Sequence, residues 1–448
     1  MSDRGAAITS VDDCVAYLRS GEKPRERWVI GTEHEKIALY ADSFERVPYE
    51  GERGIGRLLE RIAAVNGWSP VLEGENVIAL KKDGASITLE PGGQIELSGA
   101  PLGAIRETCS EFNRHVDLAN EIASEMGIVF VALGIDPIHR VPEIPVMPKR
   151  RYDIMREYLP TRGGLGLDMM HASATVQANF DFADEADMAR KLRTAMGCTP
   201  IVSAMFANSS IAAGGESGFA SKRVEIWRDT DPDRCGLLHF VFEPDFGYRD
   251  YVEWALDVPM FFVVRDGTYT PAKGTTFREF MEHGFAGLRA DEDDWDLHLT
   301  TVFPEVRLKR IIEVRGADAV PRDLICALPA LWKGVLYDDD ACAAAWRLVA
   351  DYSREEREAA QEAVARDGLA ARVAGRPVLD LARELVDIAS AGLRAIAEPA
   401  GSAPDERAFL DPLQEQIALG RSPGEAVLEH WRGEWQASPA RLIDYARY

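Results

Sequence analysis

The run from Ser86 to Ser98, SITLEPGGQIELS, constrains this chain more than any other segment. Ile87, Leu89, Ile95 and Leu97 alternate with Ser86, Thr88, Glu90, Gln94, Glu96 and Ser98 around Pro91-Gly92-Gly93. Alternation marks a strand with one buried face, and a glycine-rich break between two such runs marks a hairpin. A turn at 91–93 sets Glu90 opposite Gln94 and Thr88 opposite Glu96. Paired residues share a face. The apolar face packs on helices, and the polar face carries Glu90 and Glu96.

Other segments repeat the design. In Thr32-Glu33-His34-Glu35-Lys36, Glu33 and Glu35 point the same way, about 7 Å apart. In Thr175–Asp181 the polar face is Thr175, Gln177, Asn179 and Asp181. In Arg310–Arg315, Glu313 and Arg315 share a face with Ile311. Each alone reads first as a solvated strand face. Together they imply one concave sheet whose carboxylates converge in a cavity. Close carboxylates raise one another's pKa unless a cation lies between them. An all-oxygen donor set suits Mg²⁺, or Mn²⁺, rather than zinc or copper.

Around this centre, 8–20, 55–66, 102–126 and 184–207 read as helices. Strands are expected at 28–39, 77–81, 128–135, 221–228, 259–265 and 310–315, with a proline-rich loop at 137–148. From about 340 the chain is helical and alanine-rich, with Gly/Pro/Ser breaks near 399–404. Hairpin-linked strands among helices give an α+β fold with an antiparallel sheet. With no repeat and no marked linker, the 448 residues are expected to form a single catalytic domain, 1–448, whose C-terminal portion is helical.

Composition excludes several classes. A formal charge of −23 disfavours nucleic acid and anionic membranes as partners. The six cysteines form no CxxC pair, so neither a zinc site nor a disulfide scaffold is implied. The N-terminal segment has no apolar core, and no apolar run is long enough to span a bilayer. A cytoplasmic location is the expectation. There is no P-loop, Rossmann fingerprint, GxSxG or HExxH. Asn208-Ser209-Ser210 matches a glycosylation sequon that a cytoplasmic chain would not use. Arg223, Arg234, Arg307, Lys309, Arg310 and Arg315 are basic residues near the acidic motifs. They serve either in surface ion pairs or in neutralising phosphates and a substrate carboxylate.

Gly31–Lys36, Gly92–Pro101 and Ala174–Asp181 resemble plant and proteobacterial glutamate–cysteine ligases. So do Trp227–Asp231, Ala255–Met260, His298–Arg310, Glu313–Asp318 and Gly433–Trp435, in family order. The resemblance implies a glutamine-synthetase-like fold, an antiparallel β-sheet funnel flanked by helices. It implies ATP-dependent joining of the γ-carboxyl of glutamate to the amine of cysteine through a γ-glutamyl phosphate. This is the first step of glutathione synthesis.

On that reading Glu33, Glu35, Glu96 and Glu313 hold magnesium, with Gln177 at a position where distant relatives carry a histidine ligand. Glu90 is a weaker metal candidate. Arg315 serves the transferring phosphate, and with Glu96 it forms the catalytic pair. Arg223, Asn179, His171 and Ser98 are substrate candidates. Lys309 and Arg310 are nucleotide candidates. Glutamate, cysteine and ATP are the partners of a monomer or homodimer.

The chain departs from the plant pattern at Met169–Ala174, where Ala172 replaces an arginine expected to meet substrate. Either His171 or another arginine compensates, or the contact is dispensable. Cys109 and Cys326 fall where the resemblance implies one regulatory pair, as a disulfide or as two free thiols. The second pair is absent. A sister ligase with another amine acceptor, and a non-catalytic binding protein, are the competing readings.

Overall fold

A computed structural model describes residues 4–398 and 405–448; the breaks expected near 399–404 lie outside the described residues. Its organising element is β1 (Ile30–Tyr40). The main sheet adds β2 (Ser69–Glu73), β3 (Asn76–Lys82), β4 (Ala85–Leu89), β5 (Ile95–Ser98), β6 (Ile128–Val131), β7 (Thr175–Phe180), β8 (Val306–Leu308) and β9 (Ile312–Asp318). The order is β8-β9-β7-β1-β5-β4-β3-β2, with β6 on the C-terminal half of β1. Every pairing within it is antiparallel. The α+β class and antiparallel sheet expected from alternation are therefore present.

The β4–β5 hairpin takes the expected register, Thr88 facing Glu96 and Ser86 facing Ser98. Glycine is required at its turn for two reasons. Gly93 has φ +84°, and a Cβ on Gly92 would lie 2.1 Å from the His171 carbonyl oxygen. Ile87, Leu89, Ile95 and Leu97 are buried against Leu58, Leu59 and Ile62 of helix Ile55–Asn66 and Ile122 of helix Ile105–Glu125. Each such side chain contributes roughly 1.5–3 kcal/mol of burial. Val176, Ala178 and Phe180 of β7 belong instead to the larger core. That core includes helices Glu185–Met205, Ala327–Leu336 and Val378–Ala397. The sheet thus covers helices on its apolar side and leaves its polar side facing a cavity.

Several elements differ from expectation. Residues 221–228 form a helix, Lys222–Arg228, because the Ser221 hydroxyl caps it by accepting from the Val224 N–H. The 259–265 strand is shorter, Phe262–Arg265, and pairs with Thr268–Pro271 outside the main sheet. The 128–135 strand ends at Val131. The C-terminal helices begin near Arg322, not near 340. Lys309 and Arg310 lie in the turn between β8 and β9, a hairpin that adds a strand at 306–308. Cys109 and Cys326 form a disulfide with Cα atoms 5.7 Å apart, tying helix Ile105–Glu125 to the start of helix Ala327–Leu336.

Candidate active site

Side-chain alternation on β1 sends Glu33 and Glu35 to the cavity and His34 and Lys36 behind it. The register aligns Glu35 with Glu96 across β1 and β5, and Glu33 with Ser98 on one side and Gln177 on the other. The resulting cavity of about 220 Å³ is lined by Glu33, Glu35, Glu90, Gln94, Glu96, Ser98, Gln177, Arg223, Arg307 and Arg315. Its opposite wall carries Tyr152, Met155, Met169, Met170, Trp227 and Phe303. Five strands of the main sheet and three helices, Arg150–Tyr158, Gly166–Ala172 and Lys222–Arg228, therefore meet at one place.

The carboxylates fall into two electrostatic classes. Burial, then Glu313 and Glu96, push Glu33 up to about 7. Burial, then Glu96 and Glu90, raise Glu35 well above the usual range. Burial and Glu90 push Glu96 up to about 7, against a hydrogen bond from the Thr88 hydroxyl. Glu35 accepts one further bond, from the Thr175 N–H at 3.1 Å. Among the described residues no arginine or lysine forms an ion pair with Glu33, Glu35 or Glu96, although Arg307, Arg223, Arg315 and Lys149 act on them from farther away.

Glu313 behaves oppositely. Burial would raise it, but Arg307, Arg315 and Lys309 outweigh that and hold it at about 2. Arg307 grips both oxygens, at 2.9 and 2.8 Å, from the directly paired position on β8. Arg315 completes the clamp and also donates to Gln177 Oε1 at 2.9 Å. A β-bulge between Val314 and Ala317 carries Arg315 and Gly316, giving Arg315 this reach.

The structure places several of the expected site residues differently. Glu313 is engaged by two arginines rather than open to a cation, and Gln177 is taken by Arg315. Asn179 does not line the cavity; its amide donates to Glu33 Oε1 at 3.0 Å and so fixes that carboxylate from behind. His171 is buried outside the cavity, in the support of the 91–93 turn. Its carbonyl accepts from Gln94 Nε2 at 3.4 Å, and burial lowers its ring to about 4. Lys309 and Arg310 line a separate recess with Ser20, Gly21, Lys23 and Asp296.

Sequence reasoning missed the Arg307 clamp as such, because it depends on the β8–β9 register. It also missed the aromatic wall. Trp227 and Phe303 stack edge to face at 5.6 Å, and the Arg315 guanidinium lies 5.6 Å from the Trp227 ring centre. The signal was Trp227 itself, one helical turn from Arg223 once the segment is read as a capped helix.

Among the described residues, no three His, Cys, Asp or Glu side chains converge tightly enough to form a ready metal cage. The donor chemistry nevertheless fits a hard divalent cation. Glu33, Glu35 and Glu96 are oxygen donors on one wall, whose burial and mutual repulsion the nearby basic residues do not offset.

Comparison with known proteins identifies the family and the fold. The model of glutamate-cysteine ligase family 2 matches residues 29–442. The chain is 45% identical to the chloroplastic glutamate–cysteine ligase of Brassica juncea over 95% of its length and 82% of that protein's. It is also 45% identical to that of Arabidopsis thaliana, over 98% of this chain and 83% of that one. The glutamate–cysteine ligase of Francisella tularensis, solved in complex with AMP, superposes with TM-score 0.57 at 13% identity. It covers 94% of this chain and 87% of that one, so the fold is shared. A bifunctional glutathione synthetase from Pasteurella multocida superposes with TM-score 0.53 at 13% identity, over 97% of this chain and 53% of that one. The plant relatives bear the word chloroplastic in their names, which overturns the cytoplasmic location expected above. The chain belongs to glutamate-cysteine ligase family 2, ATP-dependent ligases that join glutamate to cysteine in the first step of glutathione biosynthesis.

Proposed function

We propose that the cavity forms γ-glutamylcysteine through a γ-glutamyl phosphate, with magnesium on Glu33, Glu35 and Glu96. The single observation that carries this reading is the Glu35–Glu96 pair, two buried carboxylates facing each other that form no ion pair among the described residues and whose pKa values stay raised despite Arg223, Arg315 and Lys149 nearby. Bound there, magnesium would neutralise the nucleotide phosphates and polarise the transferring group. The chain's own residues supply the rest.

A γ-carboxylate oxygen of glutamate attacks the terminal phosphorus of ATP, and the bond to the ADP oxygen breaks. The amine of cysteine then attacks the acyl carbon, loses a proton, and inorganic phosphate leaves. Arg315 lies where charge accumulates in both steps. Its pKa, already high, is raised further because Glu313 outweighs burial, so it stays cationic throughout. Glu313 and Arg307 hold its fork in place, a positioning role rather than a ligand's. Arg223, at the far wall, is oriented to take a substrate carboxylate, and Ser98 lines the same space.

Lys309 has no ion-pair partner among the described residues, and with Arg310 and Lys23 it forms a basic recess. Burial lowers its pKa, and Glu313 and Glu33 are among the charges that act on it. We assign that recess to the nucleotide. We also read the chain as one catalytic unit, because helix Val378–Ala397 packs on helix Ala327–Leu336, which packs on β7.

The test is isotope transfer. Glutamate labelled with ¹⁸O in the γ-carboxyl should release labelled inorganic phosphate when ATP and cysteine are present. Unlabelled phosphate alongside normal dipeptide formation would refute the acyl phosphate.

A further inference from the structure

Arg223 is almost fully buried, yet its guanidinium makes only one hydrogen bond, from Nη2 to the Arg315 carbonyl oxygen at 3.1 Å. Among the described residues its Nε has no partner, and neither does Nε1 of Trp227, one helical turn further on. Two unpartnered buried donors therefore hang from helix Lys222–Arg228 at the cavity wall. A helix this short has little stability of its own. Something else must fix its start.

That something is Asp318, at the end of β9. Its Oδ2 accepts from the Asn208 N–H and the Ser209 hydroxyl, both at 2.7 Å. Its Oδ1 accepts from the Ser221 hydroxyl at 2.9 Å. Both hydroxyl protons thus point at the carboxylate. The hydroxyl lone pairs are left to accept from the helix: Ser209 Oγ from the Arg223 N–H and Ser221 Oγ from the Val224 N–H, each at 3.1 Å. The carboxylate sets the polarity of the relay. A carboxamide could not, since one of its heavy atoms would donate to a hydroxyl. Asp318 is also the largest favourable charge on the Arg223 guanidinium, acting against its burial. The Asn208-Ser209-Ser210 segment, a sequon by sequence, is wholly buried in this relay.

We propose that Asp318 is a positioning residue for the cavity. Through Ser209 and Ser221 it fixes the first turn of helix Lys222–Arg228 and so aims Arg223 at a substrate carboxylate. This rests on the reading of Arg223 as a substrate group.

The test measures KM for glutamate, cysteine and ATP separately in Asp318→Asn, Arg223→Ala, the double variant and Ser221→Ala. Arg223→Ala should raise one amino-acid KM. Asp318→Asn should raise that same KM by about tenfold, as for one lost charge-assisted contact, with kcat and the ATP KM within about threefold. The double variant should be no worse than Arg223→Ala. Ser221→Ala, which keeps the carboxylate, should show the same pattern more weakly and stands in should Asp318→Asn fail to fold. An unaltered amino-acid KM in Asp318→Asn and Ser221→Ala, or additive effects in the double variant, would overturn the proposal. No change of any KM in Arg223→Ala would overturn the substrate reading and this inference with it.

Discussion

Glu35 and Glu96 are directly paired across β1 and β5, and among the described residues neither forms an ion pair with an arginine or lysine. Water reaches the cavity, but the carboxylates sit deep within the protein, so ionising both is costly. Glu33 and Glu96 titrate near 7, above their ordinary 4.5. The unfolded chain releases these protons first, so each group destabilises the metal-free fold as pH rises from 4.5 through 7. For Glu33 the displacement of about 2.5 units amounts to at most roughly 3 kcal/mol.

Magnesium should remove that penalty only where the carboxylates ionise. The rise in Tm on adding magnesium should therefore be small at pH 5.5 and several degrees at pH 8. Taking the difference with and without metal cancels the buried histidines, His34 and His115, whose lowered pKa values act in the opposite direction. Scanning fluorimetry checks this, and an equal or larger shift at pH 5.5 would contradict it.

Arg315 should carry transition-state charge. Arg315→Lys keeps the cation but loses the planar fork that reaches both Glu313 and Gln177. We expect kcat to fall about 100-fold while the folded state persists, by analogy with the loss of one oxyanion donor. Steady-state ADP release is the measurement.

His171 should matter for stability and not for substrate. Its ring is almost fully buried outside the cavity, so a smaller, more polar side chain leaves that space poorly filled, while the main-chain carbonyl that Gly92 closely approaches is kept. His171→Asn should cost about 1–3 kcal/mol, read by urea denaturation. All three KM values should stay within about twofold.

Tyr448 should brace β1 from behind. Its hydroxyl lies 2.8 Å from His34 Nε2 and donates to the Val320 carbonyl at 3.1 Å. Tyr448→Phe strands the Val320 carbonyl acceptor and the His34 Nε2–H donor in a buried site and should destabilise by about 1–3 kcal/mol. Calorimetry checks this.

The Cys109–Cys326 disulfide closes a loop with a sequence separation of 217. Chain-entropy reasoning gives up to about 5 kcal/mol for such a loop. Cys109→Ser should therefore lower Tm under oxidising conditions and leave it unchanged under reducing ones.

The half of the site built on alternation was legible in the sequence. Glu33, Glu35, Glu90, Gln94, Glu96 and Ser98 share the cavity because period-two patterning fixes their face whatever the tertiary context. What depended on long-range register was not legible. The Arg307–Glu313 clamp needs the β8–β9 pairing, and only that pairing shows Glu313 as a holder of Arg315. Asn179 shares a face with Gln177, but it pairs with Gly31 on β1 and its amide reaches diagonally to Glu33. Helix Lys222–Arg228 was misread because Val224 and Ile226 alternate like strand residues, while its cap is oriented by Asp318, far along the chain.

The central claim, that Glu96 belongs to a magnesium-binding wall, is tested most directly by ADP release against magnesium concentration in Glu96→Gln. The amide keeps the size and the contact with Thr88 but removes the charge. We expect the magnesium requirement to rise at least tenfold, or turnover to disappear, while the protein stays folded. A magnesium dependence identical to that of the unaltered chain, with unaltered kcat, would contradict the account.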